Sequence, residues 1–284
     1  MKRFLAAMSG ILILGIALYA FVGPASPRSG ESLYRLSDRK ALNFSDALSD
    51  LRSARIILIG ETHDSKKHHE IQLEVIRALR DAGSKLAIGL EMFRSDHQEV
   101  LDGWFGGSVS ETEFIKAYYD NWNAPWPLYA DIFLYARDKR LPMAGLNVSR
   151  EITRQVAEGG FASLTEAQRK QLPPVSCAVD EEYKRFIERA LDMHGHHGMD
   201  FTSFCEAQLL WDTAMAWHAV EYLKRHPDRL LVILAGSGHA WKSGIPRHIA
   251  SFSDLKIRVI LPEIVGRADK ETVTERDADY LWID

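Results

Sequence analysis

Residues 55–64 read Arg-Ile-Ile-Leu-Ile-Gly-Glu-Thr-His-Asp. A short uncharged run rich in Ile and Leu, broken by glycine, predicts a strand buried on both faces. Directly after it, His68–Leu79 carries apolar residues at Ile71, Val75 and Leu79, a helical spacing. The same pairing recurs outward from this unit. Lys85–Leu90 (KLAIGL), Leu141–Leu146 (LPMAGL), Leu230–Ala235 (LLVILA) and Lys256–Leu261 (KIRVIL) predict four more strands. Between the third and fourth strands, about 149–227, four helical stretches are expected: Glu151–Ala157, Thr165–Gln171, Val179–Asp192 and Thr202–Arg225. Apolar strands alternating with helices predict an α/β fold: a mostly parallel sheet flanked by helices, with a helical insertion between the third and fourth main strands. No solenoid-type repeat or low-complexity tract is present.

The 284-residue length is enough for one full core. Formal net charge is −4, and −7 once Lys2, Arg3 and Arg28 of residues 1–30 are set aside. An acidic body excludes nucleic acid as the main partner, because phosphate binding needs a basic surface. Two cysteines, Cys177 and Cys205, are too few for a zinc-thiolate site or a disulfide framework. In an oxidising compartment they pair or stay as separate thiols. Lys2 and Arg3 precede the uncharged run Phe4–Val22, the pattern of a signal peptide or a membrane anchor. Pro24–Ser32 then reads as a linker. Residues 1–30 are expected to be signal or anchor plus linker, and 31–284 a single domain. The positive-inside rule places that domain outside the cytoplasm, periplasmic or membrane-anchored.

The polar residues cluster where strands end. The first strand runs into Glu61 and His63, the second into Glu91, the third into Asn147, and the fourth into Gly236-Ser237-Gly238-His239. Ligands of open α/β sheets bind beyond the carboxyl ends of the strands, so these residues are expected at one edge. A carboxylate at a buried strand end, such as Glu91, costs free energy unless paired or coordinated. His63, Glu91 and His239 are therefore candidates either for a divalent metal or for a metal-free arrangement. In the second, one imidazole takes a proton from water and Glu91 orients it. Gln208, Trp211, Asp212 and Met215 share one helix face, which places Gln208 and Asp212 as supports for a histidine. His68 and Gln72 lie one turn apart at the start of the first helix, with His69 about 100° away and pointing elsewhere. Asn121–Pro127 reads as a pocket wall or as a loop anchored by two tryptophans, and Asn147-Val148-Ser149, formally a glycosylation sequon, as a helix start. His194, His196 and His197 form a His-rich loop, a metal or haem contact or a solvated loop.

The runs ILIGETHDSKKHHEIQ, IGLEMF, GLN, AQLLWDTAMA and LAGSGHA resemble, in this order over roughly 40–265, the haem-binding ChaN family. That family belongs to the wider Tiki/TraB/erythromycin-esterase-like superfamily with paired Gly-x-x-His motifs and a strand-end Glu. The resemblance implies an exported haem-binding protein in haem or iron uptake or handling, with haem at a homodimer interface and a tyrosine on iron. Under it, Tyr183 is the first candidate ligand and Tyr222 the second, assisted by His194, His196 and His197. Relatives elsewhere in the superfamily are metal-dependent peptidases and His/Glu esterases, which implies a hydrolase using His63, Glu91 and His239 as the alternative. In either case Glu61, His68, Asn147, Gln208 and Asp212 are expected to support the site. Residues 1–30 lack the cysteine of a lipoprotein signal.

Overall fold

A computed structural model describes residues 32–175, 179–191 and 200–283. Its sheet has eight strands: β1 Ser32–Arg35, β2 Lys40–Leu42, β3 Ile56–Glu61, β4 Leu86–Arg94, β5 Met143–Asn147, β6 Leu230–Gly236, β7 Ile257–Pro262 and β8 Tyr280–Ile283. The order is β2-β1-β8-β7-β3-β6-β4-β5. From β8 to β5 all neighbours run parallel, while β1 is antiparallel to both β8 and β2. The five strands expected from apolar runs are β3 to β7. β1, β2 and β8 are additions, too short and, in β1 and β2, too polar to stand out. They extend the parallel core with an antiparallel edge.

Every residue of β3 and β6 is buried, as befits strands covered on both faces. Alternation along β3 divides the core. Ile56 and Leu58 face the helices Glu181–Leu191, Phe201–Arg225 and Ile245–Phe252. Ile57 and Ile59 face Phe44–Arg52, Lys66–Asp81, Gln98–Gly106, Glu111–Asn121 and Trp126–Asp138. Between β5 and β6 the described chain is helical: Arg150–Gly159, Glu166–Lys170, Glu181–Leu191 and Phe201–Arg225. Among the described residues no helix is long and apolar enough to cross a membrane, and the run Phe4–Val22 lies outside them.

The topology creates the crevice. From β3 the chain moves outward to β4 and β5, returns to insert β6 beside β3, then crosses to β7 on the far side. The carboxyl ends of β3, β6 and β4 therefore meet where the direction of winding reverses, the position where open sheets leave room for ligands. A register shift sharpens it. Leu90 pairs with Gly145 but Arg94 pairs with Asn147, so β4 carries three residues against one. This bulge holds Glu91 and turns it out of the ladder.

Candidate functional site

A cavity of about 480 Å³ opens at this edge. His63, Glu91 and His239 all line it, as do Glu61, Asn147 and Gln208. Glu91 sits at the centre. Its Oε2 accepts the Gly236 amide N–H at 2.6 Å, and Oε1 lies 3.7 Å from His239 Nε2. Asn147 reaches across from β5 and donates to the Glu91 carbonyl at 2.8 Å, satisfying an oxygen that the bulge releases. Its own Oδ1 accepts the Val148 N–H, while Ser149 caps the following helix. Gly236 has to be glycine. A Cβ there would stand 2.9 Å from His63 Cε1 and 3.6 Å from Glu91 Oε2.

Each histidine is held from behind by a carboxylate, and each carboxylate by a tyrosine. His63 Nδ1 pairs with Glu61 Oε1 at 2.8 Å, and the Tyr129 hydroxyl donates to that same oxygen at 2.5 Å. His239 Nδ1 pairs with Asp212 Oδ1 at 2.7 Å, and the Tyr183 hydroxyl donates to Asp212 Oδ2 at 2.5 Å. A tryptophan stands edge-on to each imidazole: Trp122 at 5.0 Å from His63 and Trp211 at 5.8 Å from His239. The two assemblies come from opposite layers of the fold and meet at Glu91.

Burial opposes charge on His63, but its bond to Glu61 and the fields of Glu91, Glu61 and Asp64 outweigh it and lift its pKa to about 9. Burial likewise opposes charge on Glu61, yet the His63 and His69 contacts prevail and hold it at about 2. His239 is driven down by burial and more strongly up by Asp212 and Glu91, so it too titrates above its ordinary value. Burial, followed by the adjacent carboxylates, raises Tyr129 and Tyr183, which stay protonated and serve as donors.

These contacts revise several expectations. Tyr183 is buried against Asp212, and Tyr222 is buried beside the His226 ring roughly 15 Å further along the same helix. Neither lines the cavity. His194, His196, His197 and Cys177 lie outside the described residues, while Cys205 is buried as a free thiol. Among the described residues no group of three or more His, Cys, Asp or Glu side chains is arranged to hold a metal. Nothing among the described residues supports the first of the two readings of His63, Glu91 and His239, a divalent ion; both Nδ1 atoms are taken up by carboxylates. His68 also does not reach the cavity; its Nδ1 accepts the Thr62 N–H at 2.9 Å and braces the turn after β3.

The helix partner of Glu61 is instead His69. It is buried, with Nε2 3.0 Å from Glu61 Oε2 and its ring 4.0 Å from that of Tyr129. A wider apolar stripe would have shown this, since His69 is in phase with Gln72 and Ile76, both buried. Tyr129 gave no such signal, because Tyr129, Ile132, Phe133 and Ala136 read as an ordinary core face. The loop at Asn121–Ala124 forms a cavity wall, one of its two expected readings. Arg94, Arg150 and Arg267 also border the cavity, on segments with no motif to mark them.

The pattern of the family described as haem-binding uptake, Tiki superfamily, ChaN, runs through residues 47–249. The chain belongs to this ChaN family. It is similar to the solved structure of the ChaN of Campylobacter jejuni, a protein that binds haem cofacially. The two share 25% identity over 89% of this chain and 96% of the other, with a TM-score of 0.70. The ChaN fold here is also similar to an open histidine-to-asparagine mutant of the erythromycin esterase EreC, at 14% identity over 88% and 82% of the chains and a TM-score of 0.51. No curated protein matches the sequence.

Proposed function

We propose that this chain is an exported haem-binding protein acting in haem or iron uptake or handling. The observation that carries the reading is family membership over 47–249, with a fold-wide likeness to a ChaN that binds haem. Export rests on Lys2 and Arg3 ahead of the uncharged run Phe4–Val22. The residues at hand suit a porphyrin. Met92, Trp122, Val148 and Trp211 offer apolar and aromatic surface around the cavity. Phenolate oxygen is an established haem ligand. With Tyr183 and Tyr222 inside the core, the candidate becomes Tyr119, which stands outside the cavity lining but is 51% exposed on the helix that runs into the Trp122 wall, its hydroxyl accepting the Trp126 N–H at 3.0 Å. When bound, ferric haem would supply the iron that such an oxygen holds.

Titrating the full chain with ferric haem and following the Soret band tests this. Saturable binding is expected, with a ferric spectrum altered by Tyr119→Phe and not by Tyr222→Phe. Light scattering of the loaded protein reads whether a second copy assembles on the haem. Absence of saturable binding in the wild type would sink the haem reading.

A further inference from the structure

A second concavity lies at the far edge of the sheet from the haem cavity. It is a groove of about 470 Å³ at the amino ends of β3, β6 and β4, lined by Arg52, Arg55, Lys85 and Arg229. The six residues of β3 hold it roughly 20 Å from the cavity, at about 3.3 Å per residue. Among the described residues that line it, Asp228 is the sole acid, and Lys85 takes it up at 3.2 Å. Asp50, next to Ser49 of the lining, is held by two nitrogens of Arg258 and by the Tyr280 hydroxyl. Three arginines are left without a carboxylate, in a chain whose formal net charge is −4. Helix ends do not explain them. Phe44–Arg52, Lys66–Asp81 and Phe201–Arg225 end at this edge, and each carbonyl end attracts cations only within its last turn. A cation serving that purpose bonds the last carbonyls, as Arg225 Nε bonds the Glu221 carbonyl at 3.2 Å. Arg52 and Arg55 make no such bond within the described structure.

We propose that this groove is a binding site for a phosphate group, free in solution or carried on a lipid headgroup. The groove is preformed. Arg55 opens β3: its N–H bonds the Lys256 carbonyl at 2.8 Å, and its own carbonyl accepts the Leu231 N–H at 3.0 Å. The Lys85 carbonyl accepts the Leu230 N–H at 2.9 Å, which ties the segment carrying Arg229 to the one carrying Lys85. Arg229 Nη1 donates to the Leu86 carbonyl at 2.9 Å, fixing that guanidinium and leaving its other N–H groups for a ligand. Arg55 Nε is shut off from water and has no partner, so desolvation has been incurred with no bond in return. An anion on the same guanidinium supplies the missing attraction. Donors fixed in this way lose little freedom when a ligand arrives.

Charge and geometry choose phosphate over carboxylate. A carboxylate brings one negative charge and two oxygens, too little for three unpaired arginines. A phosphate monoester brings a charge of about −1.5 to −2 near neutral pH and three strong acceptor oxygens. Guanidinium forks match those oxygens two at a time. Ser49 and Ser84 line the same groove, and their hydroxyls make no side-chain bond within the described structure, so they add neutral donors. Seated on a headgroup, the chain would hold its haem cavity at the far edge, turned away from the surface.

The full chain, free of haem, is titrated with sodium phosphate by isothermal calorimetry at neutral pH and low ionic strength, with sodium acetate as the control anion. Saturable binding of phosphate is expected, at least about tenfold tighter than any binding of acetate. Arg52→Gln combined with Arg55→Gln should weaken it by about tenfold or more, the scale of lost bonds to a charged ligand. Arg52→Gln alone, at an exposed helix end where folding is not at stake, should weaken it by roughly threefold. Co-sedimentation with phosphatidylcholine vesicles, with and without phosphatidic acid, separates the two sources. Extra binding to phosphatidic acid that the double variant loses assigns a headgroup; phosphate binding without that gain assigns soluble phosphate. The ferric Soret titration should be the same in wild type and variants, so this result is read apart from the haem reading. Phosphate binding that does not saturate or is no tighter than acetate, or variants that bind as tightly as the wild type, would overturn the proposal.

Discussion

The smallest change that separates packing from electrostatics is a single methyl group at Gly236. Gly236→Ala places a Cβ where His63 Cε1 and Nε2 stand 2.9 and 3.2 Å away. The imidazole must swing out, at a cost in the range of about 1–3 kcal/mol for overpacking. We expect the variant to fold with a lowered denaturation midpoint and a His63 pKa displaced from about 9 toward 6.5. Proton NMR titration of the imidazole resonances measures it; an unmoved His63 pKa would show that the contact is relieved elsewhere. Tyr183→Phe removes one donor from Asp212 and nothing that faces the cavity. A less stabilised Asp212 is a stronger acceptor for the His239 Nδ1 proton, so the His239 resonance should titrate at higher pH in this variant. A downward shift would contradict the bonding described here.

At the scale of elements, the β4 bulge is what delivers Glu91. It is possible only because Gly145 opposes it: a Cβ at Gly145 would collide with the Arg94 carbonyl oxygen, which is rigid backbone. Gly145→Ala should therefore push β4 and β5 apart and destabilise the fold by roughly 2 kcal/mol or more, since neither strand can yield. Urea denaturation checks it, and a change under about 0.5 kcal/mol, the level of an ordinary surface substitution, would mean that the bulge is pliable. Asn147 belongs to the same device. Its amide is the bonded partner of the Glu91 carbonyl, so Asn147→Ala exposes a buried acceptor and should cost about 1–3 kcal/mol.

For the whole molecule, the pairing of Glu61 with His63 ties stability to pH from both sides. Glu61 titrates near 2 when folded against an ordinary 4.5, so its contribution is present above about 4.5 and is lost as pH falls toward 2. His63 titrates near 9 against an ordinary 6.5, so its contribution is present below about 6.5 and is lost as pH rises through 9. Maximum stability is expected between roughly pH 4.5 and 6.5, from these two shifts alone. Midpoints of urea unfolding across pH 3–10 would show it, and Glu61→Gln should flatten both limbs. Equal slopes in wild type and variant would place the dependence elsewhere. A second test concerns the sheet edge. A chain beginning at residue 31 keeps β1 on β8 and should fold, whereas one beginning at residue 43 strips β8 of its partner, uncovers Leu281 and Trp282, and should aggregate.

The residue sequence alone determined the parallel core and the edge at which its polar residues gather. A strand buried on both faces has to be a continuous apolar run, and the turn that follows it has to carry the polar groups, so β3, β4, β5, β6 and β7 and the strand-end residues Glu61, His63, Glu91, Asn147 and His239 are written in one-dimensional pattern. The helical phase likewise set Asp212 on the same face as Gln208 and Trp211. Only tertiary structure decided how these groups are partnered. The side chains that hold Glu61 come from a helix after β3 and another before β5, and the one that holds Asp212 comes from the helix Glu181–Leu191. Helical phase can show that such residues are buried but not what they bond: Tyr129, Tyr183 and His69 occupy the phase of ordinary core residues, and a hydroxyl or ring nitrogen in that phase becomes a partner only when the sheet brings a carboxylate to it. How His63 and His239 are held was decided the same way, by buried acids that take up each Nδ1 and turn each imidazole toward its charged form.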